Sequence, residues 1–273
     1  MKKLMIYFTL MFLALSGVAA TEPADGGVNA YYYAAYLDTA EAESRLKSAG
    51  FDIVGHYAAT AKSETLIITN SALQTAAGKP GRGFGAILRV LVDGEHQRIA
   101  VTNPVYFGKA FLQQDYDPVL AEQLTTSLTS ALGTMSASED SFAFDKLEGY
   151  HFMIGMPYYE DTYDLAEGDT AALVSKLDTY NGGKNIVFKL SVGEGKTLVG
   201  FALSDDTKAF VDTIGQQNAE ILPYTILVEE GKAKALAAKY YIAISYPMLT
   251  MGEFMRIVNT PGAIEKELST PFK

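Results

Sequence analysis

His56, His96 and His151 are the only imidazoles in a chain of 273 residues that has no cysteine. Without cysteine there is no thiol nucleophile, no thiolate metal site and no disulfide. The histidines fall in no His-x3-His or His-Glu-x2-His spacing, which argues against a zinc hydrolase. No Gly-x-Ser-x-Gly elbow is present, and the serines and threonines have no identifiable base. The run Gly78-Lys79-Pro80-Gly81-Arg82-Gly83-Phe84-Gly85 lacks the Lys-Ser/Thr ending of a phosphate loop and leads into a strand, so it reads as a flexible connection. Two clusters keep chemical interest. Asp161, Asp164, Glu167 and Asp169 stand among Tyr158, Tyr159 and Tyr163, a mixture that suits calcium or carbohydrate. Their spacing is not that of an EF-hand, and the expectation is a solvated loop leading into a helix whose first turn favours acids. His151, Met153 and Met156 lie close together, and Met248, Met251 and Met255 recur at helical spacing. Thioether and imidazole suit Cu(I). Strand alternation would separate Met156 from His151 and Met153, and i, i+3, i+7 is the spacing of a packed helix face, so core packing is the expectation for both groups. No cofactor is expected.

These residues sit in a chain that is 48% hydrophobic and 20% charged, an ordinary globular composition. Its length suits one large or two medium domains. Residues 1–20 carry Lys2 and Lys3, then an apolar run from Leu4 to Leu15, then Val18 and Ala20 as small residues before a cleavage point. That order is a secretory signal, cut near Ala20, and predicts a periplasmic or secreted protein. The apolar run of 12 residues is shorter than the ~20 that span a bilayer. Loss of the leader takes two lysines and no acid, leaving 22 − 2 = 20 bases against 32 acids and a net charge of −12. Such a surface disfavours nucleic acid and stable membrane association.

The chain also repeats itself. Ser44-Arg45-Leu46 matches Ser175-Lys176-Leu177, and Thr65-Leu66 matches Thr197-Leu198. Further on, Gln97–Glu122 aligns with Tyr240–Glu265 at an offset of 143, sharing the frame Pro-x6-Phe-x6-Pro-x3-Glu. In the first half, Tyr31–Leu37 reads as a strand and Ala40–Ala49 as a helix. Phe51–Tyr57, Thr65–Thr69, Ala86–Val92 and Arg98–Asn103 read as strands, with Asp93-Gly94 as a hairpin turn. Pro104 and Pro118 open helices. The second half gives a strand at His151–Met156, a helix at Asp169–Tyr180, strands at Ile186–Val192, Thr197–Leu203, Tyr224–Glu229 and Tyr240–Ser245, and helices after Pro247 and Pro261. Pro104 and Pro247 are then equivalent, and Phe111 and Phe254 should each point onto their own sheet.

The first half carries AGFDIVGHY and RVLVDGEHQRIAVTNPVYFGKAFL, with Gly-Phe after the first helix and a hydrophobic strand running into Asn103-Pro104. On these residues it resembles the bacterial domain family called domain of unknown function 302, over roughly residues 31 to 132 and, through the repeat, in the second half. The resemblance implies a fold of the TATA-binding-protein-like class, with one strand, a helix, four strands and a long helix. It implies no activity and no catalytic residue. Tyr246 stands in place of Asn103 in the second copy, so a site using the asparagine is not duplicated.

The expectation is an α+β protein with antiparallel sheets and helices on one face, built from two tandem repeats at 28–133 and 145–273 joined by a linker at 134–144. Placed side by side, the sheets would form one curved surface. The expected function is non-catalytic binding of a small molecule or exported protein in the groove between the copies, with Asn103, Tyr106 and Tyr246 as contacts. A hydrolase using carboxylates and a Cu(I)-binding protein using methionine and histidine are the alternatives.

Overall fold

The computed structural model describes residues 26–214 and 220–273, and the expected leader at 1–20 lies outside them. The chain opens with β1 (Gly27–Asn29) and β2 (Tyr31–Ala35), followed by α1 (Thr39–Ser48). Next come β3 (Asp52–Thr60), β4 (Ser63–Thr69), α2 (Ser71–Ala77), β5 (Leu88–Asp93) and β6 (Arg98–Thr102). Two helices, α3 (Pro104–Leu112) and α4 (Pro118–Leu132), lead to the short strands β7 (Ser136–Ala137) and β8 (Ser141–Ala143). The second half runs β9 (Tyr163–Glu167), α5 (Thr170–Thr179), β10 (Ile186–Gly193), β11 (Lys196–Phe201), α6 (Asp205–Lys208) and α7 (Phe210–Ile214). It closes with β12 (Tyr224–Glu229), β13 (Lys232–Ala235), α8 (Ala238–Ser245), α9 (Met251–Arg256) and α10 (Thr260–Ser269). No helix among the described residues is long and apolar enough to cross a membrane.

The fold is α+β with antiparallel pairing. One sheet has the order β3-β4-β5-β6-β2-β7 and the other β10-β11-β12-β13-β9, while β1 pairs with β8. Apart from β7, the strands of the two sheets follow the same order. The helices after each first strand also start alike. Asp38 accepts the Glu41 N–H at the head of α1, and Asp169 accepts the Ala172 N–H at the head of α5. Each cap satisfies an amide that has no partner inside its helix. Leu46 and Leu177 are buried on the inner faces of these helices. Residues 134–144, read as a linker, contain β7, which adds to β2, and β8.

The structure corrects five expectations about elements and layers. Tyr240–Ser245 is not a strand but most of α8. All its residues except Lys239 are buried, so the helix shows no polar face and its run of aromatic and branched residues mimics a strand. The last strand of that half is instead Lys232–Ala235. Pro247 opens no helix: α9 starts at Met251, capped by Thr250, whose side chain exchanges hydrogen bonds with Glu253 in a capping box. The helix that directly follows the last strand of this half is therefore α8, which begins 134 residues after α3 (238 against 104), and not the segment at offset 143. His151–Met156 forms turns, with Gly155 at φ +84°, and the first strand of the half is Tyr163–Glu167.

The remaining two corrections concern layers. The sheets stay separate and do not extend into one surface, although Gly55 on β3 lets β10 approach so closely that a Cβ there would lie 3.1 Å from Phe188 Cβ. Helices also cover both faces of the first sheet. Leu66, Ile68, Val90, Ile99 and Val101 pack against α1 and α4. Their strand neighbours Ile67, Leu91 and Ala100 face the opposite way, as pleating requires, into a core shared with α3 and the whole second half. Phe111 lies between the halves: it lines one cleft with Tyr31, Arg89 and Thr102 of its own sheet, and its ring is 6.0 Å from Tyr159 and 6.2 Å from Tyr241.

The glycine-rich run is an ordered joint rather than a flexible connection. Gly83–Ala86 forms a buried 3-10 turn, where a Cβ on Gly83 would lie 2.4 Å from Leu227 Cδ1. The Gly81 N–H donates to the Glu229 carboxylate at 3.1 Å, and the Tyr159 hydroxyl donates to the Gly81 carbonyl at 2.6 Å. Lys196 Nζ, buried, pairs with Glu229 at 3.0 Å and donates to the Gly78 carbonyl at 2.9 Å. One loop of the first half is thus pinned to β11 and β12 of the second.

Candidate functional site

Where α3 and α8 meet, the halves share a core rich in tyrosine. Burial of a phenol is tolerable only when its hydroxyl finds a partner. For three of these tyrosines the partners are main-chain carbonyls, whereas the buried Tyr240 hydroxyl of α8 has none among the described residues. Tyr106 donates to Ile244 at 2.8 Å and Tyr150 to Ala243 at 2.9 Å, satisfying the last turn of α8, while Tyr241 donates to Ile221 at 3.0 Å.

Beside these helices lies a small cleft with room for about one water molecule. Strand alternation supplies one wall: Tyr31 from β2, Arg89 from β5 and Thr102 from β6 project from the same face of the first sheet. Phe107 and Phe111 come from α3, Tyr241 and Ser245 from α8, and Glu220 and Ile221 from the segment ahead of β12. A somewhat larger apolar pocket lies between α3 and α4 and shares Ile87, Phe107 and Phe111 as walls with the cleft.

Two charged residues dominate the cleft. Arg89 is 5% exposed. Its Nη2 donates to the Pro223 carbonyl at 3.1 Å, its guanidinium lies 5.8 Å from the Tyr241 ring centre, and its Nε has no hydrogen-bond partner. Among the described residues no carboxylate stands within ion-pair distance of it. Glu220 is 2% exposed and its Oε2 is likewise without a partner. Burial pushes its carboxyl up to about 8; its own backbone contact opposes this, the charge of Asp140 adds to it, and Arg98 draws it back. Glu220 is therefore mostly protonated at neutral pH and presents both a donor and an acceptor. Burial, with the charge of Glu220 behind it, also holds the Tyr31 and Tyr246 phenols well above their ordinary range.

The three residues expected at the groove converge on this region without lining the cleft. Asn103 is the N-cap of α3, accepting the Val105 N–H at 2.9 Å and donating to the Asn29 carbonyl at 2.6 Å. Tyr106 is fully buried against α8, and the Tyr246 ring stacks on Tyr31 at 6.3 Å. Each is the chain neighbour of a lining residue: Thr102, Phe107 and Ser245. Sequence reasoning missed Arg89 and Glu220. Arg89 carries a signal, as a lone charge inside the apolar run Leu88–Val92.

The expected alternatives take their places around this region. Asp161 turns back to accept the Tyr158 N–H at 2.9 Å, Asp164 and Glu167 lie on β9, and Asp169 caps α5. Met248, Met251 and Met255, expected in the core, are exposed, because α9 turns only Phe254 inward. Comparison with protein-family models, with curated proteins and with solved structures finds no match for this chain.

Proposed function

We propose that this chain is an exported, non-catalytic binding module that takes a small organic acid in the cleft between two copies of one α+β unit. The observation that carries this reading is Arg89: a buried guanidinium that, among the described residues, has a free Nε–H and no acidic partner, in a wall of aromatic side chains. A buried unpaired cation is costly, and an anionic ligand removes that cost. Protonated Glu220 offers a hydrogen bond to the same ligand without repelling it. The cleft as it stands holds about one water, so Tyr31, Phe107, Phe111 and Tyr241 must part to admit a flat or aliphatic body behind the acid group. The matching strand order of the two sheets, and the matching caps on α1 and α5, support descent from one duplicated unit of the kind that the resemblance to domain of unknown function 302 implies.

Thermal denaturation at pH 6.5 with benzoate or hexanoate tests the reading. The acids should raise the melting temperature in proportion to the logarithm of concentration, and benzamide or hexanamide should not. Arg89→Gln should abolish the effect. Equal stabilisation by the amides, or none by either acid, would sink it.

Glu220 supports a second reading, a hydrolase in which this carboxyl is the general acid. A raised acid beside the charge of Asp140 is the arrangement such chemistry needs. Hydrolysis of ester or glycoside probes that vanishes in Glu220→Gln, while the fold persists, would select it over the binding module.

A further inference from the structure

Nine methionines occur in the chain, and six lie among the described residues. One of these, Met135, packs against the core of the first half. The other five fall in just two segments, 151–156 and 248–255. The structure brings the two together: the Phe152 ring stacks on Phe254 at 5.6 Å and 20°. Phe254 is the inward residue of α9. At 3.6 residues per turn, Met251 and Met255 lie on the same flank of it, about 40° apart around the helix. One turn separates them along the axis, which puts their Cβ atoms about 5–6 Å apart. Met153 follows Phe152 directly, and Met248 precedes the cap of α9. Methionine is ordinarily a core residue, yet these four are 47% (Met153), 58% (Met248), 42% (Met251) and 55% (Met255) exposed.

We propose that this surface is a soft-cation site, in which Met251 and Met255 with Met153 and Met248 bind a single Cu(I) or Ag(I) ion through their thioether sulfurs. Thioethers select soft monovalent ions over Zn2+, Ca2+ or Mg2+, and the chain has no thiolate to compete for them. His151, two residues before Met153, lies against the Tyr158 ring at 4.5 Å and is the adjacent imidazole donor. Among the described residues no three His, Asp or Glu side chains gather in a group that would hold a harder metal. The site is separate from the Arg89 cleft and does not depend on its ligand.

The test uses the purified chain carrying 13C-methyl methionine. Titration with Ag(I) should shift the methyl resonances of Met153, Met248, Met251 and Met255, saturate at one equivalent, and leave Met135 unmoved. Cu(I) should be withdrawn from bathocuproine disulfonate under ascorbate with the same stoichiometry. The double variant Met251→Leu/Met255→Leu should weaken Ag(I) binding at least tenfold. Its melting temperature should stay that of the parent, because both side chains are exposed. Failure to compete with the chelator, a shift that includes Met135, or unchanged affinity in the double variant would each overturn the proposal. Concentration-dependent self-association through these residues, indifferent to Ag(I), would overturn it too and mark the patch as a docking surface.

Discussion

Glu220 couples the stability of the fold to pH in a direction opposite to that of most carboxylates. Below about pH 4.5 its carboxyl is protonated in the folded and the unfolded chain alike and contributes no pH dependence. Between that value and about 8 the unfolded chain releases the proton and the folded chain keeps it. Stability therefore falls as pH rises through this window, by up to ~1.4 kcal/mol per unit, and levels off above it. Glu220→Gln removes the slope. In urea titrations the variant should gain on the parent by several kcal/mol at pH 8 and differ little at pH 5, and an equal difference at both values would show that the carboxyl is not held protonated. Arg89 was legible as an anomaly in an apolar strand. Glu220 was not, because a single acid between Gln216-Gln217-Asn218 and Ile221 gives no sign in sequence that its carboxyl is buried.

The element that sequence misassigned most fully, α8, is also the one that organises the seam. Periodicity identifies a helix by contrast between its faces, and a helix surrounded by protein has none. Helices with one wet face, α1 and α5, were legible almost to the residue from their caps and inward leucines. The proline frame at offset 143 misled because Pro104 begins a helix and Pro247 follows one. This difference in setting separates two phenylalanines that the sequence treats alike. Phe111 sits among Phe107, Tyr159 and Tyr241, so Phe111→Ala should cost on the order of 3–5 kcal/mol. Phe254 leans on the half-buried Phe152 from a short helix, and Phe254→Ala should cost distinctly less in the same urea titration. The joint between loop and sheet has its own test. Lys196→Met leaves the buried Glu229 without its nearest cation, at a cost of order 3–5 kcal/mol, whereas Lys196→Met/Glu229→Gln should cost less than the two single changes combined. Additive costs would show that the pair is not coupled.

Seen whole, the protein has a core that neither half owns. The shared cluster runs from Tyr31 and Ile67 through α3 and α8 to Leu268, so the halves should unfold together. Near-ultraviolet and far-ultraviolet dichroism should report one coincident thermal transition, and two separated transitions would mean that the halves are independent. Composition and strand content made the α+β class legible. What sequence could not convey is that α3 faces the other half as well as its own sheet, since its apolar residues would suit either neighbour. That orientation has a consequence for biosynthesis. The chain is made from its N-terminus, so Phe107 and Phe111 emerge long before α8, about 130 residues later, exists to cover them. At ribosomal speed the interval is roughly seven to twenty-five seconds. Throughout it the nascent first half carries a sticky aromatic face that only the completion of the polypeptide can mask, and a chaperone that recognises aromatic segments has a defined time in which to act.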